Sequence, residues 1–173
     1  MMPGSPSTIH NVILNPGEFH FGRGNTCVHT LLGSCVAITL WHPQKRVGGM
    51  CHYLLSLRGN NRRLSHGHYA DDVMQLFMEA IRAESTRPHE YEVKLFGGGT
   101  MFDYAGYAGR DANGGGVASV SRNNIKSGVT LLREHGFRIK ASDVGGTCHR
   151  KIRLELWSGD VWVQRGDTVR ECA

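Results

Sequence analysis

The chain lacks any apolar run of membrane-spanning length, and its N-terminal segment has neither the basic n-region nor the apolar h-region of a secretory signal. No segment is expected to enter a membrane as a helix, and a cytoplasmic location is predicted. No CxxC pair occurs, and the five cysteines (Cys27, Cys35, Cys51, Cys148 and Cys172) are odd in number. A disulfide framework and a structural zinc site therefore both fit poorly, and free thiols point to a reducing compartment. No stripe of Lys and Arg with interleaved aromatics is present, so no nucleic-acid role is expected. The formal charge of +5 comes from scattered basic residues and reads as a solvated face with a mild preference for acidic partners. The run Gly97-Gly98-Gly99 has neither the GK[ST] ending of a P-loop nor the GxGxxG spacing of a dinucleotide site.

What is present fits one folded domain. With 173 residues, 40% of them hydrophobic and 20% charged, the chain can build a real core. Residues 1–8, with two prolines and three Ser/Thr, read as a flexible tail, and 9–173 as the domain. Short strands are expected over Ile9–Leu14, Phe19–Phe21 and Val28–Leu32. Val36–Trp41 and Val47–Leu55 read as two strands joined by a turn at Pro43, a hairpin. Ser56–Gly67 reads as a polar basic loop. Tyr69–Ala83 has Val73, Leu76, Phe77, Ala80 and Ile81 at helical spacing behind Asp71 and Asp72, and is expected to be a helix. A strand over Tyr91–Phe96, a Gly-rich loop over Asp103–Gly116 and a helix over Asn123–His135 follow. A strand over Phe137–Ala141 and a last hairpin of Ile152–Leu156 with Val161–Gln164 complete an α+β layered sandwich with two main helices.

One pairing stands out chemically. Cys35 follows Gly33-Ser34 at the head of an apolar strand, and His52 falls at the matching end of the next strand. A thiol at neutral pH needs a base to become a nucleophile, and an imidazole one strand away can serve. N–H groups around the Gly33-Ser34 turn can face a developing oxyanion. Each residue also has a plainer reading, Cys35 as inert core packing and His52 as a satisfied core histidine. Cys51 should point to the opposite face of its strand from His52. The glycines 97–99 suit a close-approach wall better than a phosphate cradle. Cys27, His29, Cys35 and His52 match no standard metal spacing, so no metal or cofactor is predicted.

The chain resembles the CheD family of bacterial chemoreceptor glutamine deamidases. The matching residues are Thr30 through Ala37, Val47 through Leu55, Tyr69-Ala70-Asp71, Lys94 through Phe102, Asn124, and Asp143-Val144-Gly145-Gly146 with Arg150-Lys151. Six segments in family order, with the Cys-to-His spacing intact, make the resemblance specific. It implies that Cys35 is the nucleophile, His52 the base, and Thr30, beside His29, the residue that orients the imidazole. Gly33, Ser34 and Gly98 would line the oxyanion and substrate pocket. It further implies a protein-glutamine glutaminase fold related to toxins that deamidate small GTPases. The substrate would be the cytoplasmic helical bundle of methyl-accepting chemotaxis proteins, and the phosphatase CheC a partner. A receptor- or CheC-binding adaptor with little catalysis, and a receptor methylesterase, are the competing expectations. Departures from the family pattern occur at Cys51, Ser121 and His149 and in the long segment 103–116, and bear on loop shape and partner binding.

Overall fold

The computed structural model describes residues 6–60, 66–101 and 117–166. Residues 1–5 of the expected tail over 1–8, the centre of the basic loop, all of the Gly-rich segment over 103–116 and Cys172 lie outside the described residues. Among the described residues, nine strands form two mixed sheets. Strands β1 (His10–Leu14), β3 (Thr26–Leu32), β8 (Arg150–Glu155) and β9 (Val161–Arg165) form the four-stranded sheet in the order β1-β3-β8-β9. Strands β2 (Phe19–Arg23), β4 (Val36–His42), β5 (Val47–Cys51), β6 (Glu92–Gly97) and β7 (Ile139–Val144) form the other, in the order β2-β5-β4-β6-β7. Helices α1 (Ala70–Ala83) and α2 (Val117–Glu134) cover one face of the five-stranded sheet, and the four-stranded sheet covers its other face.

The layering explains why β4 alternates so weakly in sequence. Val36, Ile38 and Leu40 pack toward the helices with Val73, Phe77 and Leu132, while Ala37 and Trp41 pack toward the second sheet with Val28, Leu32 and Ile152. A strand covered on both faces needs apolar residues at every position. The helix expected over Tyr69–Ala83 forms with its apolar stripe inward, Val73, Met74, Phe77 and Ile81 all buried. The hairpin of β4 and β5 forms in a single register, Thr39 opposite Met50 and His42 opposite Val47. The β8–β9 hairpin forms as well.

Several strand ends shift by a residue or two, and three boundaries differ more, each through a tertiary contact. Helix α2 begins at Val117, well before Asn123, and Ser121 is buried with its hydroxyl donating to the Gly99 carbonyl at 3.1 Å. The strand expected from Phe137 begins at Ile139 and runs to Val144, where parallel pairing with β6 holds it through Gly97. Phe137 instead completes the C-terminal cap of α2. Gly136, at φ +84, donates to Arg133, Phe137 donates to Leu132, and the Phe137 and Leu132 side chains join one core. The long strand Val47–Leu55 stops as a regular ladder at Cys51, beyond which only Tyr53 and Leu55 make single bridges. The chain parts there because His52 turns its backbone to the β1–β2 connection, donating to Glu18 and accepting from Gly17. No helix among the described residues is long and apolar enough to cross a membrane.

Candidate active site

The chain passes between the two sheets at Gly33-Ser34, leaving β3 and entering β4. Cys35 follows at once. The Val36–Tyr53 bridge carries on the β4–β5 register, with two backbone hydrogen bonds of 3.0 and 2.9 Å. In an antiparallel pair this fixes the faces. Val36 and Tyr53 point to the helices, so Cys35 and His52, one step back on each chain, point into the space between the sheets. They are diagonal neighbours, a placement with backbones roughly 7–8 Å apart and side chains within reach. Cys35 is half-buried and packs against the inter-sheet core. Burial raises its thiol pKa, and a hydrogen bond from the Ser34 hydroxyl pulls the other way.

His52 is held from the opposite sheet. Its Nδ1 lies 2.7 Å from the Thr30 hydroxyl on β3, and that hydroxyl lies 2.8 Å from the Leu14 carbonyl on β1. Parallel pairing sets Leu14 beside Thr30, which is why the carbonyl is there. A hydroxyl has one proton, and a carbonyl only accepts. Thr30 therefore donates to Leu14 and accepts from His52 Nδ1–H, which leaves the lone pair on Nε2. Nε2 is buried and has no hydrogen-bond partner among the described residues. Burial pushes the His52 pKa down to about 4, with the Leu14 backbone and the Glu18 charge acting weakly upward. The imidazole is a neutral base at pH 7, its tautomer set and its basic nitrogen unoccupied.

The rest of the site is a wall of glycines buttressed by α2. Gly97, at φ +107, brings its backbone so close to Cys35 that a Cβ would lie 2.2 Å from the Cys35 carbonyl. Gly98 N–H donates to that same carbonyl at 2.8 Å, and Gly99 N–H to the Gly33 carbonyl at 2.9 Å. The Gly98 amide is thus committed to shaping the loop around Cys35. The N–H groups of Ser34 and Cys35 have no partner among the described residues and are the donors left to meet an oxyanion. Behind this wall, Arg150 bridges Asp143 (3.0 Å) and the Gly145 carbonyl (2.8 Å). Burial raises the Asp143 pKa, but hydrogen bonds and charge from Arg165 and Arg150 outweigh it and hold the carboxyl below its usual range. That pair fixes the turn at Gly145-Gly146, whose backbone bonds Gly97 and Thr100.

Asn124 is the residue whose part the sequence did not disclose. It is 1% exposed, and its Nδ2 donates to the Leu54 carbonyl at 2.7 Å and, more weakly, to the Ser34 carbonyl at 3.4 Å. One side chain thereby ties the residue before Cys35 to the segment after His52. Its own backbone carbonyl accepts from the buried Tyr53 hydroxyl at 2.6 Å. The sequence signal was there: Ser121, Asn124 and Gly128 interrupt the apolar stripe of α2 at helical spacing, and a buried polar residue inside a helix needs a partner.

The other cysteines stand apart. Cys51 points to the helices, accepts from Ile38 N–H at 3.4 Å and has its pKa pushed up by burial to about 12. Cys27 is buried and its thiol pKa is likewise raised. His29 faces outward from β3 and bonds Asn11 at 2.8 Å, so Thr30 and not His29 reaches the imidazole. Among the described residues, no three His, Cys, Asp or Glu side chains converge as a metal site.

Comparison with known proteins places the chain in a family. Residues 54–165 match the model described as CheD chemotactic sensory transduction, a span that begins past Thr30, Cys35 and His52. Similar curated proteins extend over nearly the whole chain. One is the "Probable chemoreceptor glutamine deamidase CheD 3" of Dechloromonas aromatica, 44% identical over 94% of this chain and 91% of its own. Another, from Pseudomonas savastanoi pv. phaseolicola, is named "Probable chemoreceptor glutamine deamidase CheD" and is 41% identical over 92% of this chain and 87% of its own. A third, "Probable chemoreceptor glutamine deamidase CheD 1" of Leptospira interrogans serovar Lai, is 36% identical over 92% and 95%. With a family match across most of its length and relatives at this identity, the chain belongs to the CheD family.

Proposed function

We propose that this protein deamidates glutamine side chains of chemoreceptors, with Cys35 as nucleophile, His52 as general base and Thr30 as the group that orients it. The observation that carries the reading is the His52 network: an imidazole held from the neighbouring sheet in one tautomer, with a buried, unpartnered Nε2 on the face it shares with Cys35. His42 also has a buried Nε2 with no hydrogen-bond partner among the described residues, but it stands against the Tyr91 ring; His52 is the one set on the face of Cys35. The names of the relatives supply the substrate class.

His52 Nε2 takes the Cys35 proton as the sulfur attacks the carboxamide carbon. Negative charge gathers on the amide oxygen, where the N–H groups of Ser34 and Cys35 are available. The C–N bond breaks, and the imidazolium gives its proton to the departing ammonia. Water then attacks the thioester while His52 accepts its proton. The C–S bond breaks, the proton returns to the sulfur, and a glutamate remains on the receptor. The adaptor reading gives no reason for an unoccupied base beside a thiol. The substrate would be the helical cytoplasmic bundle of the receptor, reached in the cytoplasm. By its family resemblance, the protein would also bind CheC.

The test is mass spectrometry of a receptor cytoplasmic fragment after incubation with the native protein or with Cys35→Ala. Gln-to-Glu conversion at defined sites, confined to the native protein, is expected. Conversion by Cys35→Ala at the native rate would overturn the assignment, and methanol release in place of ammonia would favour the methylesterase.

A further inference from the structure

The two sheets differ in what covers them. Both helices lie on the five-stranded sheet, and no described element lies on the outer face of the four-stranded one. That face carries Ile13 on β1, Leu31 on β3 and Trp162 on β9, exposed to 72%, 56% and 57%. Together they line a groove of about 730 Å³. Large apolar side chains gathered in one exposed concavity mark an interaction surface.

The polar side chains of the groove state its sign. Lys151 and Arg153 on β8 line it, and no carboxylate does. Arg153 lies over the Trp162 ring at 5.4 Å and pairs with Glu155 just outside the lining. Lys151 has no ion pair among the described residues. Burial lowers the His29 pKa, as does Arg153, so the imidazole adds no charge at pH 7. A second copy of this chain docking by the same face would bring cation against cation here. An acidic surface with some apolar content is complementary.

We propose that this groove, whose lining includes Thr30 but neither Cys35 nor His52, is a docking site for the receptor's helical surface. The inference rests on the receptor reading above. A surface on which this protein makes glutamates gains one negative charge per turnover, which is the chemistry that a face with Lys151 and Arg153 attracts. The placement also suits a role in presenting substrate. Leu31 and His29 point outward from β3, and Thr30 between them points inward to His52. The groove therefore sits on the back of the strand that leads directly into Cys35.

The test uses a purified receptor cytoplasmic fragment and a short glutamine peptide cut from it, with the native protein, Trp162→Ala and Lys151→Glu. Both substitutions are on the exposed face, away from the catalytic machinery. Receptor KM is expected to rise about tenfold for Trp162→Ala, with kcat and turnover of the short peptide within about twofold of native. Lys151→Glu should weaken receptor binding and lessen its salt dependence. Affinity is also measured by titration, without turnover. Unchanged receptor KM and affinity in both variants would overturn the docking site while leaving deamidation in place. A dimer of this chain lost on Trp162→Ala, with receptor affinity intact, would likewise overturn it. No turnover by the native protein would defeat the receptor deamidase reading, and the titration would then judge the groove separately.

Discussion

Replacing Thr30 by valine exchanges one hydroxyl for a methyl group of nearly the same shape, so packing costs are small and the effect isolates the hydrogen bonds. Two are lost, the 2.8 Å bond to the Leu14 carbonyl and the 2.7 Å bond from His52 Nδ1–H. Both sit in a buried setting, Thr30 at 5% exposure and His52 at 2%. A buried polar group stripped of its partner costs about 1–3 kcal/mol, and the Nδ1–H bears most of it. The imidazole can escape by moving its proton to Nε2, which places the lone pair away from Cys35. A tautomer preference of about 1.4–2.8 kcal/mol lost in this way lowers kcat by about 10–100-fold. KM for the receptor should hardly change, since the Thr30 hydroxyl faces His52 and Leu14 and no substrate. Thr30→Ser keeps the hydroxyl and should restore most of the rate. The assay is kcat and KM on a receptor fragment, with urea unfolding of each variant to show that the protein is folded under assay conditions. Native kcat in folded Thr30→Val would refute the orienting role.

Three further outcomes follow. The folded-state pKa of His52, lowered to about 4 by burial, lies below the unfolded value of about 6.5, so acid favours the unfolded chain. Its contribution of about 3 kcal/mol is present above pH 6.5 and is lost as pH falls through 4. The drop in urea midpoint between pH 7 and pH 4.5 should be smaller in His52→Gln, and equal drops would contradict the burial argument. Asn124→Ala unties the Ser34 and Leu54 carbonyls, and we expect kcat to fall about tenfold, Asn124→Asp failing to rescue because a carboxylate cannot donate. A change in kcat with an unchanged pH profile would mark it as a positioning residue. Gly97→Ala faces both a left-handed φ of +107 and a Cβ 2.2 Å from the Cys35 carbonyl, so thermal unfolding should fall by several degrees and activity with it. A native melting temperature would mean that the loop around Cys35 adapts.

Much of this was legible in the residues because the informative contacts are local. The β4–β5 hairpin needs only a turn at Pro43 and apolar strands on either side, and its register alone brings Cys35 and His52 to one face. Helix α1 is likewise written in its own periodicity. What was not legible depends on partners distant in sequence. Nothing near Thr30 states that β1 will lie parallel to β3 and set the Leu14 carbonyl against its hydroxyl. Its part was available only through family resemblance. The early start of α2 reflects Ser121 meeting Gly99, and the late start of β7 reflects pairing with β6. The outward groove was hidden for the opposite reason: Ile13 and Leu31 look like core residues in sequence, and only the sheet order leaves them uncovered.

The most direct test of the central claim is to catch the thioester. Deamidation of a receptor fragment is run with hydroxylamine present, and the receptor glutamines are read by peptide mass spectrometry. The account predicts γ-glutamyl hydroxamate at the same sites that otherwise become glutamate, formed by the native protein and absent with Cys35→Ala. Glutamate formed at the native rate with no hydroxamate at any hydroxylamine concentration would mean that water attacks the amide directly, and that Cys35 is not the nucleophile.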